Sequence, residues 1–429
     1  MKNLIFFLLL GFSTSIWGQE IYFPPTTGTT WETTPPSTFG YCPEKIQALY
    51  TFLEENQSKA FLLLKDGKIV LEQYFDGFQA TDNWYWASAG KTITAFTVGI
   101  AQQEGLLSIQ DTTSTYLGEG WTTTPAEKEE KITIKNQLSM TTGLDYTVAN
   151  SNCTDPSCLT YLADAGEQWY YHNAPYTLLD NVIEAATNTT LNQYFSQKVR
   201  IPIGMNGAFF QVEDNNVYFS TPRSMARFGL LMLNQGSWGS TPIMTDTAYY
   251  NEMINTSQDL NLSYGYLWWL NGKSSHKLPG STFTFPGFLI PNAPADTYLA
   301  AGKNGQFLSI TPSEGLVWIR MGDSPDDLPV PFLLNNLIWD KINDLVCPLS
   351  TADAEKQKWT ISPNPVSEVL TIHSPENQLY TWEMYGHSMQ LLSKGNHTDA
   401  PVFSSYAKGL YWIKIQTEET VFWKKVLKE

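Results

Sequence analysis

The chain has 429 residues and a formal charge of -16, from 26 Lys plus Arg against 42 Asp plus Glu. So acidic a chain argues against a polyanion-binding surface, and nucleic acid is excluded as an expected partner. Hydrophobic residues make up 42% and aromatics 14%, a globular composition with enough apolar mass for one large domain and a small one.

The N-terminus "MKNLIFFLLLGFSTSIWGQE" carries a lysine, an apolar run over residues 4–12, polar residues and then Gly18. The run is too short to span a bilayer and reads as a secretory signal, residues 1–18, removed near Gly18. No other segment is long and apolar enough for a stable membrane span. Residues 19–41, rich in Pro and Thr, read as an extended arm.

The main domain is expected over 42–347. "CPEKIQALYTFLEEN" has helical periodicity, and "AFLLLKDGKIVLEQYF" is two apolar runs around Asp66 and Gly67, a hairpin signal. A buried helix follows in "SAGKTITAFTVGIAQ". Residues 132–140 and 225–234 read as further helices. "TYLAAGKNGQFLSI" and "GLVWIRMG" read as strands, closed by the amphipathic helix "PFLLNNLIWDKINDLV". Strands at both ends and helices between imply one sheet built from distant parts of the chain. The expected class is therefore α/β (α+β), with an antiparallel sheet flanked by helices, a helical subdomain and a cleft between them. Residues 348–358 look like a linker, and 359–429 show short strands with turn signals, the pattern of a small β-sandwich.

Four cysteines allow three pairings in an exported chain. Cys153 and Cys158 flank the turn-forming "TDPS", so a local bridge is expected there, leaving Cys42 with Cys347. Their spacing fits no zinc site; metal: none, and no organic cofactor, is the expectation. The 15 Trp belong to core packing or to a substrate-facing wall.

Ser88 and Lys91 lie one helical turn apart, which puts a hydroxyl beside an amine. A buried lysine loses its preference for charge and can serve as the base that activates a serine. The same spacing recurs at Ser274 with Lys277, in a loop, and at Ser405 with Lys408, in the terminal segment. Only the Ser88 copy opens a buried helix; its alternative reading is a helix-cap serine followed by a solvated lysine. Histidine offers little, since the region holds only His172 and His276, and there is no Gly-x-Ser-x-Gly elbow. Tyr171 and Asn173, two apart, could face one cleft from an extended loop, the tyrosine relaying a proton and the asparagine holding an amide carbonyl; Tyr249 and Asn251 repeat the spacing. Lys303 and Gly305 are placed on a strand, where glycine would let a substrate approach. The N–H of Gln306 could then join that of Ser88 as an oxyanion donor pair.

In this order, Ser88 with Lys91, Tyr171 with Asn173 and Lys303 with Gly305 resemble the serine β-lactamase and penicillin-binding-protein superfamily. The resemblance is to its class C-like branch with esterases, D-peptidases and 6-aminohexanoate-dimer hydrolases. "EGLLSIQDTTSTYL", "ITIKNQLSMTTGLDY", "TPRSMARFGLLMLNQGSW" and "YGYLWW" resemble that family's framework, so the likeness spans 42–347. It implies acyl transfer, with Ser88 attacking a carbonyl, Lys91 and Tyr171 moving the proton, and Lys303 attracting a carboxylate or stabilising negative charge. Asn304 and Gln306 depart from the hydroxyl-glycine pattern of many β-lactam-recognising relatives and favour a small ester or amide. β-Lactamase, D-alanyl-D-alanine carboxypeptidase and D-aminopeptidase activities are the alternatives, and a catalytically silent peptide or cell-wall binder is another. The C-terminal segment, with "SPNP", Gly386, "GLYWIKI" and a lysine-rich last strand, resembles the type IX secretion sorting domain. This implies the secretion machinery as a partner and a secreted or cell-surface location. A carbohydrate adhesin is the competing reading of that segment. Whether residues 277–296 close over the site is left open.

Overall fold

The computed structural model describes residues 21–324, 328–347, 359–374, 378–386, 390–417 and 421–429. The expected signal and linker lie outside them. The chain divides into two compact units between Val346 and Cys347.

The first unit begins with α1 (Pro43–Glu55), opened by proline at its first position, where the missing N–H costs nothing. It is followed by β1 (Ser58–Lys65) and β2 (Lys68–Tyr74). Asp66 and Gly67 both take positive φ, 49° and 85°, as a two-residue hairpin turn requires. The two-residue strand β3 (Trp84–Tyr85) leads into α2 (Lys91–Gln103). The helical middle contains α3 (Asn173–Thr187), the hairpin β4 (Ala208–Val212) and β5 (Asn215–Ser220), and α4 (Pro222–Leu233). The chain then returns through β6 (Trp269–Leu270), the short ladder β7 (Ser275–His276) with β8 (Phe285–Pro286), β9 (Tyr298–Gly302), β10 (Gln306–Thr311), β11 (Leu316–Gly322) and α5 (Phe332–Asn343).

The main sheet runs β2-β1-β11-β10-β9-β6, every pairing antiparallel. β1 pairs with β11 from Ser58↔Gly322 to Lys65↔Leu316, so the two ends of the unit meet at its centre. β9, β10 and β11 are buried at every position, as for strands covered on both faces. α4 packs on β1, β10 and β11, while α1 packs on β1 and α5.

α2 is buried from Lys91 through Ala101. Its Gly99 admits the Tyr249 ring, which an added Cβ would meet at 2.3 Å. Tyr249 in turn donates to the Ala95 carbonyl at 2.6 Å. A helix so enclosed places its first turn rigidly.

Residues 21–41 lie along the first unit, largely exposed but anchored at a few points. Trp31 is buried and donates its indole N–H to the Gly67 carbonyl. Arg227 lies over the rings of Trp31 and Trp238 and donates to the Pro25 carbonyl. The polar composition of the arm hides this, because its backbone groups are satisfied by β2, as in Thr34 N–H to Ile69 O, and not by a strand of its own.

The segment expected as one strand over "TYLAAGKNGQFLSI" is broken. Asn304 (φ 60°) and Gly305 (φ 75°) are left-handed, so Lys303–Gly305 forms a tight turn joining β9 to β10. Asn173 is likewise the first residue of α3 and does not sit in an extended loop.

Among its described residues the second unit is all-β. β12 (Thr360–Ser362) pairs with β13 (Thr371–His373), and β14 (Thr381–Tyr385), β15 (Leu391–Asn396), β16 (Gly409–Gln416) and β17 (Val421–Lys428) form an antiparallel sheet ordered β15-β14-β16-β17. Trp359, Trp382, Met384, Ile413, Ile415 and Val426 make its core. All four cysteines of the chain are disulfide-bonded, Cys153 and Cys158 to each other.

Candidate active site

Ser88 lies in a 3-10 turn, Ala87–Gly90, that runs directly into α2 at Lys91. The turn is anchored by Trp86, whose backbone N–H donates to Tyr218 O and whose indole donates to Ser220 Oγ, both at 2.8 Å. Ala87 takes φ 46°, a left-handed conformation costly for a residue with a Cβ. Gly302 closes the turn from behind. A Cβ there would lie 2.5 Å from Trp86 O and 3.0 Å from Ser88 N, so the end of β9 and the backbone of Ser88 touch because residue 302 has no side chain.

The Lys91 Nζ donates to Ser88 Oγ at 3.0 Å. The lysine is 4% exposed, and burial lowers its pKa to about 7, opposed by the charge of Asp180. Near neutral pH a substantial fraction is the free amine, a base in hydrogen-bond contact with the hydroxyl it would deprotonate. Its Nζ sits 4.2 Å from the ring centre of Tyr176 and 5.3 Å from that of Tyr171. The Tyr171 side chain hydrogen-bonds Ser88, yet burial raises its pKa far above the usual phenol range. It stays protonated and can give up a proton, whereas Lys91 in its free-amine form can take one. Tyr171 is fixed by stacking on Trp269 at 5.5 Å and by edge contact with Tyr264.

These groups open into a cleft of 760 Å³ that reaches Asn173 and Lys303. Asn173 donates to Asn152 Oδ1 at 2.8 Å, and Asn152 adjoins the Cys153–Cys158 loop. Lys303 is exposed at the mouth. Tyr85, Val212, Val217, Phe219, Pro279, Pro329 and Val330 make an aromatic and aliphatic wall. Residues 277–296 touch the cleft through Pro279 and Gly280.

Two expected site residues point elsewhere. Gly305 faces the interior, where a Cβ would meet Arg320 Nη1 at 2.7 Å and Leu334 at 3.2 Å, so its role is packing and turn geometry, not substrate approach. The side chain of Gln306 is fully buried, and its amide bonds the Lys303 and Gly322 carbonyls and the Gly322 N–H, tying the turn to β11. Behind them the buried Arg320 donates to the carbonyls of Asn304, Gly305, Asn56 and Asp323.

Neither histidine enters the cleft. His172 is buried and held neutral, its pKa lowered to about 4 by burial, and the Nδ1 of His276 bonds Gly287 O in the β7–β8 ladder. Sequence reasoning passed over Tyr85, Asn152, Tyr176, Asp180 and Asn216. Tyr176 and Asp180 had one available signal, a polar pair four residues apart on an otherwise apolar helix face. Among the described residues no group of three or more His, Cys, Asp or Glu could hold a metal ion, and no helix is long and apolar enough to cross a membrane.

A serine and a buried lysine at one helix start, with a tyrosine packed against them, thus stand beside an antiparallel sheet on a mixed α/β scaffold. The chain belongs to the beta-lactamase family, whose profile matches residues 53–339, and residues 360–429 match the secretion system C-terminal sorting domain. Members of that family are typically serine hydrolases, and the sorting domain marks the chain for type IX export to the cell surface or extracellular space.

Solved structures with this fold include a Bacillus anthracis protein described as a 6-aminohexanoate-dimer hydrolase. It has TM-score 0.57 and 18% identity, over 75% of this chain and 89% of that one. A family VIII carboxylesterase has TM-score 0.55 and 15% identity over 74% and 99%. A penicillin-binding protein homolog from Caulobacter crescentus has TM-score 0.54 and 13% identity over 71% and 98%. A search of curated proteins finds no match.

Proposed function

We propose that this chain is a secreted serine hydrolase that forms an acyl-enzyme on Ser88 and hydrolyses a small ester or amide. The observation that carries the reading is the 3.0 Å contact between Lys91 Nζ and Ser88 Oγ, with the amine's pKa brought to about 7 by burial. In the forward step Ser88 Oγ attacks the substrate carbonyl and Lys91 takes its proton. Tyr171 passes a proton to the departing alkoxide or amine and is reprotonated from Lys91. Water then enters by the reverse route, releasing the acid and restoring the serine.

The oxyanion needs two donors. One is the Ser88 N–H. The second is assigned to the Lys303 N–H, because Gly302 abuts Ser88 N and Lys303 opens into the cleft. Asn173 would orient an amide, and the Lys303 ammonium at the mouth would attract a carboxylate.

The apolar wall and the cleft volume suit a small substrate with an apolar acyl group, and the esterase and dimer-hydrolase neighbours share the fold. In this reading residues 1–18 are a leader removed near Gly18, 42–347 is the hydrolase domain, 348–358 a linker and 359–429 the sorting domain.

A fluorophosphonate should label wild type and leave Ser88→Ala unlabelled. In a panel of p-nitrophenyl esters, linear amides, D-alanyl peptides and nitrocefin, turnover of esters or linear amides supports the assignment. Turnover of nitrocefin alone overturns it.

A further inference from the structure

Asp180 is a carboxylate buried to 7% exposure that the acyl-transfer scheme does not use. It lies where α2 packs on α3. On α2, Lys91 and Thr94 are three residues apart; on α3, Tyr176 and Asp180 are four apart, so each pair shares a face. The Tyr176 ring lies under the Lys91 ammonium, and its side chain hydrogen-bonds Thr94. Thr94 Oγ1 donates to Asp180 Oδ1 at 3.4 Å, and Asn216 Nδ2, from β5, donates to Oδ2 at 3.0 Å. A continuous polar path therefore joins the buried Lys91 amine to the buried Asp180 carboxyl through neutral groups.

We infer that Asp180 is a positioning residue that tunes Lys91: its carboxylate, linked to the lysine through Thr94 and Tyr176, supplies the negative field that lets the amine take and return the Ser88 proton. A buried amine without such a partner binds a proton too weakly to serve as a base. The remaining groups around the pair do not replace this charge. Thr94 and Asn216 are neutral, and Tyr171, Tyr176 and Tyr264 are held protonated by burial. Burial holds the Asp180 pKa up at about 7 and Glu184, one turn along α3, acts in the same direction, whereas Asn216, Thr94 and Lys91 favour the ionised form, so the negative field on Lys91 is complete only above that value. Asp180 is absent from the cleft lining, so it acts on the proton inventory and not on substrate binding.

The role of the amine toward Ser88 rests on the function proposed above; its coupling to Asp180 does not. Asp180→Asn is the informative variant, because its Oδ1 can accept from Asn216 while its Nδ2 donates to Thr94 Oγ1, preserving the contacts and removing the charge. In full-length protein carrying ¹³Cε-lysine, with the Lys91 signal assigned through Lys91→Arg, the Lys91 titration midpoint should fall by on the order of one pH unit. The acid limb of kcat/KM should move down with it. The variant-to-wild-type ratio of kcat/KM is then higher on the acid limb than at pH 8, with KM and thermal unfolding unchanged.

A Lys91 midpoint that stays in place overturns the inference, whatever the activity does. A midpoint that falls while Ser88→Ala is still labelled by fluorophosphonate upholds the coupling and removes the serine assignment instead. Should Asp180→Asn fail to fold, Asp180→Ser, which leaves room for a water beside Thr94 and Asn216, gives the same reading.

Discussion

Replacing Gly302 by alanine probes the contact on which the proposed oxyanion site depends. The new Cβ would lie 2.5 Å from Trp86 O, 2.9 Å from Ala89 N and 3.0 Å from Ser88 N. An ordinary carbon–oxygen contact is about 3.3 Å, so roughly 0.8 Å must be recovered, and every opposing atom is backbone. The nucleophile turn has little freedom to retreat, since Trp86 is fully buried and hydrogen-bonded through both backbone and indole. The displacement falls on the end of β9, carrying Lys303 N–H away from Ser88. Overpacking of this kind costs about 1–3 kcal/mol of stability. A catalytic group misplaced by about 1 Å loses on the order of 100-fold in rate. Urea unfolding measures the first, and ester kcat/KM with the fluorophosphonate labelling rate measures the second. The loss should fall on kcat more than on KM, because the carbonyl is held most tightly in the transition state. A variant within about threefold of wild-type kcat/KM, a difference below 1 kcal/mol, would refute both the contact and the donor assignment.

In wild type, kcat/KM should rise with pH through about 7, because burial lowers the pKa of Lys91 and the amine is the active base above that value; a pH–rate profile flat from pH 5.5 to 8.5 contradicts this. Tyr171→Phe should lower kcat by about 10²–10⁴-fold with KM nearly unchanged, the usual worth of a positioned proton donor, as steady-state kinetics will measure. Arg320→Met should destabilise the first unit by about 3 kcal/mol in urea melts, since it strips donors from buried carbonyls of Asn56, Asn304, Gly305 and Asp323.

What could be read from the residues divides by range of interaction. Ser88 and Lys91 were legible because three-residue spacing in a helix is a local geometric fact, and the buried run after them marked the helix as interior. The antiparallel sheet followed from apolar runs at both ends of the unit. The turn at Lys303–Gly305 was misplaced on a strand although Asn304-Gly305 is itself a turn signal, because alternating apolar residues on either side outweighed it. Gly302 carried no local mark: its neighbour is the Ser88 backbone, more than two hundred residues away. Asp180 was hidden for the same reason. Mid-helix aspartates usually face water, and the packing of α2 on α3, with Asn216 of β5, buries this one.

The pairing of β1 with β11 has a temporal consequence. Ser58 and Gly322 are partners in that ladder, so the central sheet depends on pairing across almost the whole unit, which slows folding. Ser88 and Lys91 lie near its beginning, whereas Gly302 and Lys303, which complete the proposed site, lie near its end. Any chain interrupted before β9 holds a nucleophile with no wall behind it. The proposed site is therefore complete only once the sheet has joined its two distant halves.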